Sequence, residues 1–178
     1  MPVEASPKWV RANLVLGADG STSLGGRSAG LSSVADRSRF HALRGGCDAI
    51  LVGGATARSE PYRKTPKPLF ILTRDSDLEL SHPDAHLLNL GPVEAIGLIR
   101  ESGHNRILME SGANLLRQFL ALDLLDGIHL TITPAAPNEA RFPISELLNL
   151  LALNELELIT DESVGEEHFL FFSRSSSD

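Results

Sequence analysis

Three short stretches of this sequence carry residue types that do chemistry. The first is Glu110-Ser111-Gly112-Ala113-Asn114, which follows the apolar run "RILM" and opens the run "LLRQFLALDLL". A helix starting at Gly112 would present backbone N–H groups with no intrahelical partner, and such an end binds phosphate. The same spacing also serves as a plain helix cap. Glu110 places a carboxylate at the end of the preceding strand. The second stretch is "LVGGATARSEPY", residues 51–62, with Gly53-Gly54 after an apolar run and Thr56 and Glu60 just beyond. Ligands of a parallel sheet sit outside the C-terminal strand ends, where this stretch would lie. Taken alone, it reads equally as a strand-to-helix turn.

The third stretch, "GADGSTSLGGRSAGLSS" at 17–33, is mostly glycine, serine and threonine. A P-loop needs G-x-x-x-x-G-K-[ST] running straight into a helix. Gly20 and Gly25 have that spacing, but Gly26 stands where lysine is required. A G-x-G-x-x-G that opens a helix directly is also missing. A linker does not fit between two apolar elements of one domain. A loop of this length without regular structure is functional or disordered.

The elements that must position these residues follow from periodicity. Val10, Ala12, Leu14 and Leu16 alternate as a first strand. Ser33 with Asp36 three residues on marks a helix start, Val34, Phe40 and Leu43 form its apolar face, and Gly45-Gly46 stops it. "DAILVGG", "KPLFILT" (67–73), "AHLLNL" (85–90), "RILMES" and "GIHLTIT" read as further strands. "PVEAIGLIRESG" (92–103) and "GANLLRQFLALDLL" read as helices. "NEARFPISELLNLLALN" reads as a loop and then a short helix. "LELIT" and "HFLFFS" flank the turn-like "DESVGEE" as an antiparallel pair. The alternation predicts an α/β domain whose central sheet is mostly parallel and covered on both faces, with an antiparallel strand at the C-terminal edge. One domain over 1–178 is predicted, with a frayed tail from about residue 174.

Composition narrows the function. The 178 residues are 42% hydrophobic and 22% charged, with net charge −7 and no basic cluster. That argues against a nucleic-acid partner. The absence of a long apolar run argues against a membrane one. The single cysteine, Cys47, allows no internal disulfide and no cysteine-based metal site, and it reads as a small buried hydrophobe. No metal is predicted, and the expected setting is a reducing cytoplasm.

The segments "ADGSTSLGGRSAGLSS..DRSRFHALR...DAILVGGATARSEPY" and "ILMESGANLLRQFLALDLLDGIHLTITP" resemble the C-terminal reductase domain of the bifunctional deaminase–reductase of riboflavin biosynthesis. The stand-alone pyrimidine-reductase-like members are the nearest in pattern. The resemblance covers roughly residues 10–134. It implies a dihydrofolate-reductase-like three-layer fold. It also implies NADPH-dependent reduction of the ribosyl side chain of 5-amino-6-(5-phosphoribosylamino)uracil to ribityl, in a homodimer. The implied cofactor contacts fall on Val15, Gly30, Gly53, Gly54, Thr56, Glu60, Gly112, Ala113, Asn114 and Leu115. Thr73 and Arg74 would meet the 2′-phosphate. Implied substrate contacts are Ser28, Arg27, Arg44 and Glu110, with the two arginines on the sugar phosphate. Glu110, Glu60 and Asp19 are the candidate proton relays, although Asp19-Gly20 is also an ordinary turn pair. The glycine-rich stretch becomes a folded loop over nicotinamide and substrate. Two alternatives stand beside this: a catalytically silent NADPH-binding paralogue, and a reductase of another pyrimidine or pterin. Ser111 and "AAPNEARFPIS" depart from the family pattern.

Overall fold

Apolar strands alternating with capped helices become a single eight-stranded sheet in the computed structural model, which describes residues 7–60, 62, 65–78, 82 and 84–174. The elements are β1 (Trp9–Gly17), α1 (Val34–Gly46), β2 (Ala49–Gly53), α2 (Gly54–Ser59), β3 (Leu69–Leu72), β4 (His86–Leu88), α3 (Pro92–Glu101), β5 (Arg106–Met109), α4 (Ala113–Ala121), β6 (Gly127–Thr133), α5 (Ile144–Leu153), β7 (Leu156–Val164) and β8 (Glu167–Arg174). The strand order is β4-β3-β2-β5-β1-β6-β8-β7. The first six strands run parallel, while β8 pairs antiparallel with β6 and β7 with β8. This is the predicted architecture, with β7 as the antiparallel edge.

Period-two alternation sorts the strands onto two faces. Val10, Ala12, Leu14 and Leu16 of β1 join Ile128 and Leu130 of β6 on the first. There Ile99 of α3, Phe119 of α4 and Leu147 of α5 cover them, all but excluded from solvent. On the second face Ile50, Val52, Ile71 and Leu108 pack with Cys47, Tyr62 and Leu78, and Leu43 of α1 leans on them. Helices on both sides make the three layers. No helix among the described residues is long and apolar enough to cross a membrane.

Three local expectations change. Ser33 does cap α1, accepting from the Asp36 N–H at 3.0 Å. The expected apolar face fails, because Val34 is 82% exposed and the helix buries Asp36, which accepts from the Ser32 hydroxyl. Helix α4 stops at Ala121, short of Leu125, and Asp123 turns the chain with φ 55°. The segment "DESVGEE" is mostly strand: β7 continues to Val164 and β8 resumes at Glu167. Being exposed along nearly its whole length, β7 has no apolar face to betray it. Residues 175–178 of the expected frayed tail lie outside the described residues, as do Pro61, Arg63 and Lys64 of "EPYRK".

Candidate functional site

Parallel strands end together. Gly17 of β1, Gly53 of β2, Met109 of β5 and Thr133 of β6 all reach one sheet edge, the edge at which open α/β sheets bind ligands. The glycine-rich loop leaves from Gly17, α2 from Gly53 and α4 just beyond β5. All three sequence clusters therefore meet at this edge.

Glu110 follows β5, and its N–H donates to the Leu51 carbonyl at 2.9 Å. Leu108 belongs to the second core, so alternation aims Glu110 at that same face. There Arg44, in the last turn of α1, clasps it through two parallel bonds, Nε to Oε1 and Nη2 to Oε2, both 2.7 Å. The Tyr62 hydroxyl donates to Oε2 at 3.1 Å. Glu110 is 5% exposed and the Arg44 side chain 13%. The guanidinium lies over Phe40 at 4.1 Å, with the Tyr62 ring 5.5 Å from it. Burial opposes the Arg44 charge, but the hydrogen bonds and the charge of Glu110 outweigh it and raise its pKa. Burial, then the Glu110 charge, holds the Tyr62 phenol well above its ordinary value. This corrects the expectation for Arg44: the fork assigned to a substrate phosphate holds Glu110 instead. Tyr62 was missed; the one sign of it was that it is the sole tyrosine in the sequence.

A second set gathers where β2 and β5 end. The Gly53 N–H donates to Ser111 Oγ at 3.0 Å, and the Gly112 N–H to Thr56 Oγ1 at 3.3 Å. A Cβ on Gly54 would lie 2.6 Å from Thr73 Oγ1, so only glycine fits without displacing that hydroxyl. Helix α4 has no side-chain cap, so the N–H groups of Ala113, Asn114 and Leu115 are its orphan donors. A Cβ on Gly112 would meet nothing nearer than Thr56 Oγ1 at 3.9 Å. Uncapped donors beside open space suit a nucleotide pyrophosphate. Thr133 Oγ1, buried where β6 ends, has no hydrogen-bond partner. Arg74 is exposed, next to Thr73, whose hydroxyl accepts from the Asp75 N–H at 3.1 Å.

The glycine-rich loop joins the two sets. Glu60 Oε1 accepts both the N–H and the hydroxyl of Ser28, each at 2.8 Å. Gly30 sits against Leu24: a Cβ on it would fall 2.5 Å from the Leu24 carbonyl oxygen. Val15 is buried on the second face of β1. Arg27 is exposed, and its side chain hydrogen-bonds to no described residue. Asp19 is a turn residue: its carboxylate accepts from Ser21 N–H at 3.0 Å and Asn138 N–H at 2.8 Å. Desolvation alone would raise its pKa, but the bonds from Ser21 and Asn138 and the charge of Arg141 together lower it.

The sequence model of one family, described as the RibD C-terminal domain, matches residues 8–158. The chain belongs to the RibD C-terminal domain family. Comparison with curated proteins finds no match. Among solved structures, a pyrimidine reductase-like protein from Corynebacterium diphtheriae is 21% identical, with 93% of this chain and 91% of that one covered and a TM-score of 0.73. The deaminase/5-amino-6-(5-phosphoribosylamino)uracil reductase of Thermotoga maritima is 13% identical at TM-score 0.74; 95% of this chain covers 57% of that longer one. Dihydrofolate reductase from Enterococcus faecalis, complexed with NADP(H), is 13% identical at TM-score 0.67, covering 94% and 97%. The fold of this RibD-type domain is thus dihydrofolate-reductase-like. Family membership supports an oxidoreductase of the riboflavin-biosynthesis kind.

Proposed function

We propose that this RibD-type domain is an NADPH-dependent reductase acting on 5-amino-6-(5-phosphoribosylamino)uracil and reducing its ribosyl side chain to ribityl. The observation that carries the reading is the uncapped N-terminus of α4, with open space at Gly112, on the same strand-end edge as the Ser28–Glu60 contact. When bound, the dinucleotide supplies the hydride. Gly112, Ala113, Asn114 and Leu115 would receive its pyrophosphate, with Gly53, Gly54 and Thr56 alongside. Thr73 and Arg74 would meet its 2′-phosphate with a hydroxyl and a guanidinium. Val15 and Gly30 would border the nicotinamide.

On the substrate side, Ser28 offers a hydroxyl and Arg27 an unpaired guanidinium. Arg44 acts through Glu110, fixing the direction of a carboxylate that accepts from substrate donors. Glu60, on the loop face, relays the proton. The domain's part is to orient the open-chain sugar and exclude water. The experiment is an assay of NADPH oxidation with the phosphoribosylaminopyrimidine, with NADH run beside it. Substrate-dependent oxidation with preference for NADPH is the expected result. Tight NADPH binding without turnover would make the domain a silent nucleotide-binding paralogue. Turnover only with a pterin would change the substrate.

A further inference from the structure

The base of the glycine-rich loop and the loop between β6 and α5 are stitched together. Ala18 N–H donates to the Ala135 carbonyl at 2.7 Å, Thr22 N–H to the Ala140 carbonyl at 3.0 Å and Phe142 N–H to the Gly20 carbonyl at 2.8 Å. Arg141 adds Nε and Nη2 bonds to the Asp19 carbonyl at 3.0 and 2.6 Å. Beyond Thr22 this stitching stops. Gly25 and Gly26 lie in the left-handed region, φ 64° and 76°, and a Cβ on either would meet nothing within 4 Å. Packing therefore does not hold these two glycines.

One side chain does. Glu139 accepts from Ser23 Oγ at 3.1 Å, from Gly25 N–H at 3.0 Å and from Gly26 N–H at 3.1 Å. Apart from the local Leu24–Arg27 bridge and the Gly30 N–H bond to the Arg27 carbonyl at 3.3 Å, these are the hydrogen bonds that residues 23–27 make to described residues. The Gly26 and Gly25 N–H groups hold the Glu139 carboxyl below its ordinary range, so it is ionised near neutral pH. Two residues after Gly26, Ser28 binds Glu60. The tip is slung between two carboxylates, one from each side of the strand-end edge.

We propose that Glu139 is a positioning residue, a latch that holds the tip of the glycine-rich loop in place and so delivers Ser28 to Glu60 and to the substrate. The substrate part rests on the reductase reading above. Both Glu139 oxygens accept from main-chain N–H groups. A glutamine has one oxygen to offer and would turn an NH₂ toward a donor, so the isosteric Glu139→Gln change is enough to open the latch.

The test measures amide exchange by NMR in wild-type and Glu139→Gln protein without ligand, then steady-state kinetics of both. Exchange at Gly25, Gly26 and Ser28 is expected to rise at least about tenfold, the loss of a charge-assisted bond, with β1 and β6 amides unchanged. KM for the phosphorylated pyrimidine should rise about tenfold while NADPH affinity holds, and Glu139→Asp should recover part of the loss. Unchanged exchange at Gly25 and Gly26 overturns the latch. Faster exchange there with Ser28 and KM unmoved reduces Glu139 to a local tether and overturns the positioning role. If the wild-type protein does not turn over this substrate, the reductase reading falls, and the Ser28 exchange alone still decides the latch.

Discussion

Arg44 and Glu110 show how a residue's role depends on what its neighbours already hold. In the family resemblance, Arg44 is a contact for the sugar phosphate of the substrate. In the fold it is a largely covered partner with a bidentate grip, its guanidinium over Phe40 and near the Tyr62 ring. Lysine keeps the charge but cannot make two parallel bonds. Arg44→Lys should therefore cost about 2 kcal/mol, roughly 4–8 °C in Tm by calorimetry, and not only substrate affinity. An unchanged Tm would mean that Glu110 does not depend on the clasp. Gly112 makes the opposite case. Its φ of −68° suits any residue and its surroundings are open, so Gly112→Val should fold, losing about 1 kcal/mol for the poorer cap. Its NADPH affinity, by titration calorimetry, should fall beyond detection. Retained affinity would move the dinucleotide away from α4.

Among the elements, β6 and β8 bring together a group that no spacing in the sequence announces. His129 pairs across the sheet with Phe171, and the rings stack at 4.3 Å. Arg39 of α1 approaches Nδ1 at 3.5 Å, and Arg11 of β1 stacks over Phe171 and Trp9. Burial, then the charges of Arg39 and Arg11, lowers the His129 pKa from 6.5 to about 4. Between those values the unfolded chain binds a proton that the folded chain does not, so stability falls as the pH drops from 6.5 toward 4. Urea midpoints at pH 7, 6 and 5 should decline in the wild type and decline less in His129→Gln. Equal slopes would place His129 in solvent. The strands, α1, α3 and α4 were legible because apolar periodicity and Ser, Pro and Gly signals mark them. The β7 extension was not, since an exposed edge strand has no buried face. The glycine clusters were legible as a site because they follow strand ends. Tyr62 and Glu139 were not, because each acts on a residue far along the chain that only the fold brings near.

At the scale of the molecule, the homodimer is a proposal, and β6 offers it no edge, being an inner strand with Ile128 and Leu130 in the core. Of the sheet's two edges, β4 and β7, the longer is β7, with Leu158, Ile159 and Val164 about half exposed. Light scattering at micromolar concentration should give twice the chain mass, and Ile159→Lys should return it to one. A wild-type monomer would remove the pairing. The strand order also bears on how the chain is made. β1 leaves the ribosome before the other strands of the sheet, yet its neighbours are β5 and β6, and the bond from Val10 N–H to Asp126 spans 116 residues. β2, β3 and β4 can assemble as they emerge, while β1 waits with both edges bare until β5 emerges and with one edge bare until β6 does. The first strand of this sheet to be made is thus one that fills its centre, and a nascent chain stalled before β6 leaves one edge of β1 bare for chaperones to cover.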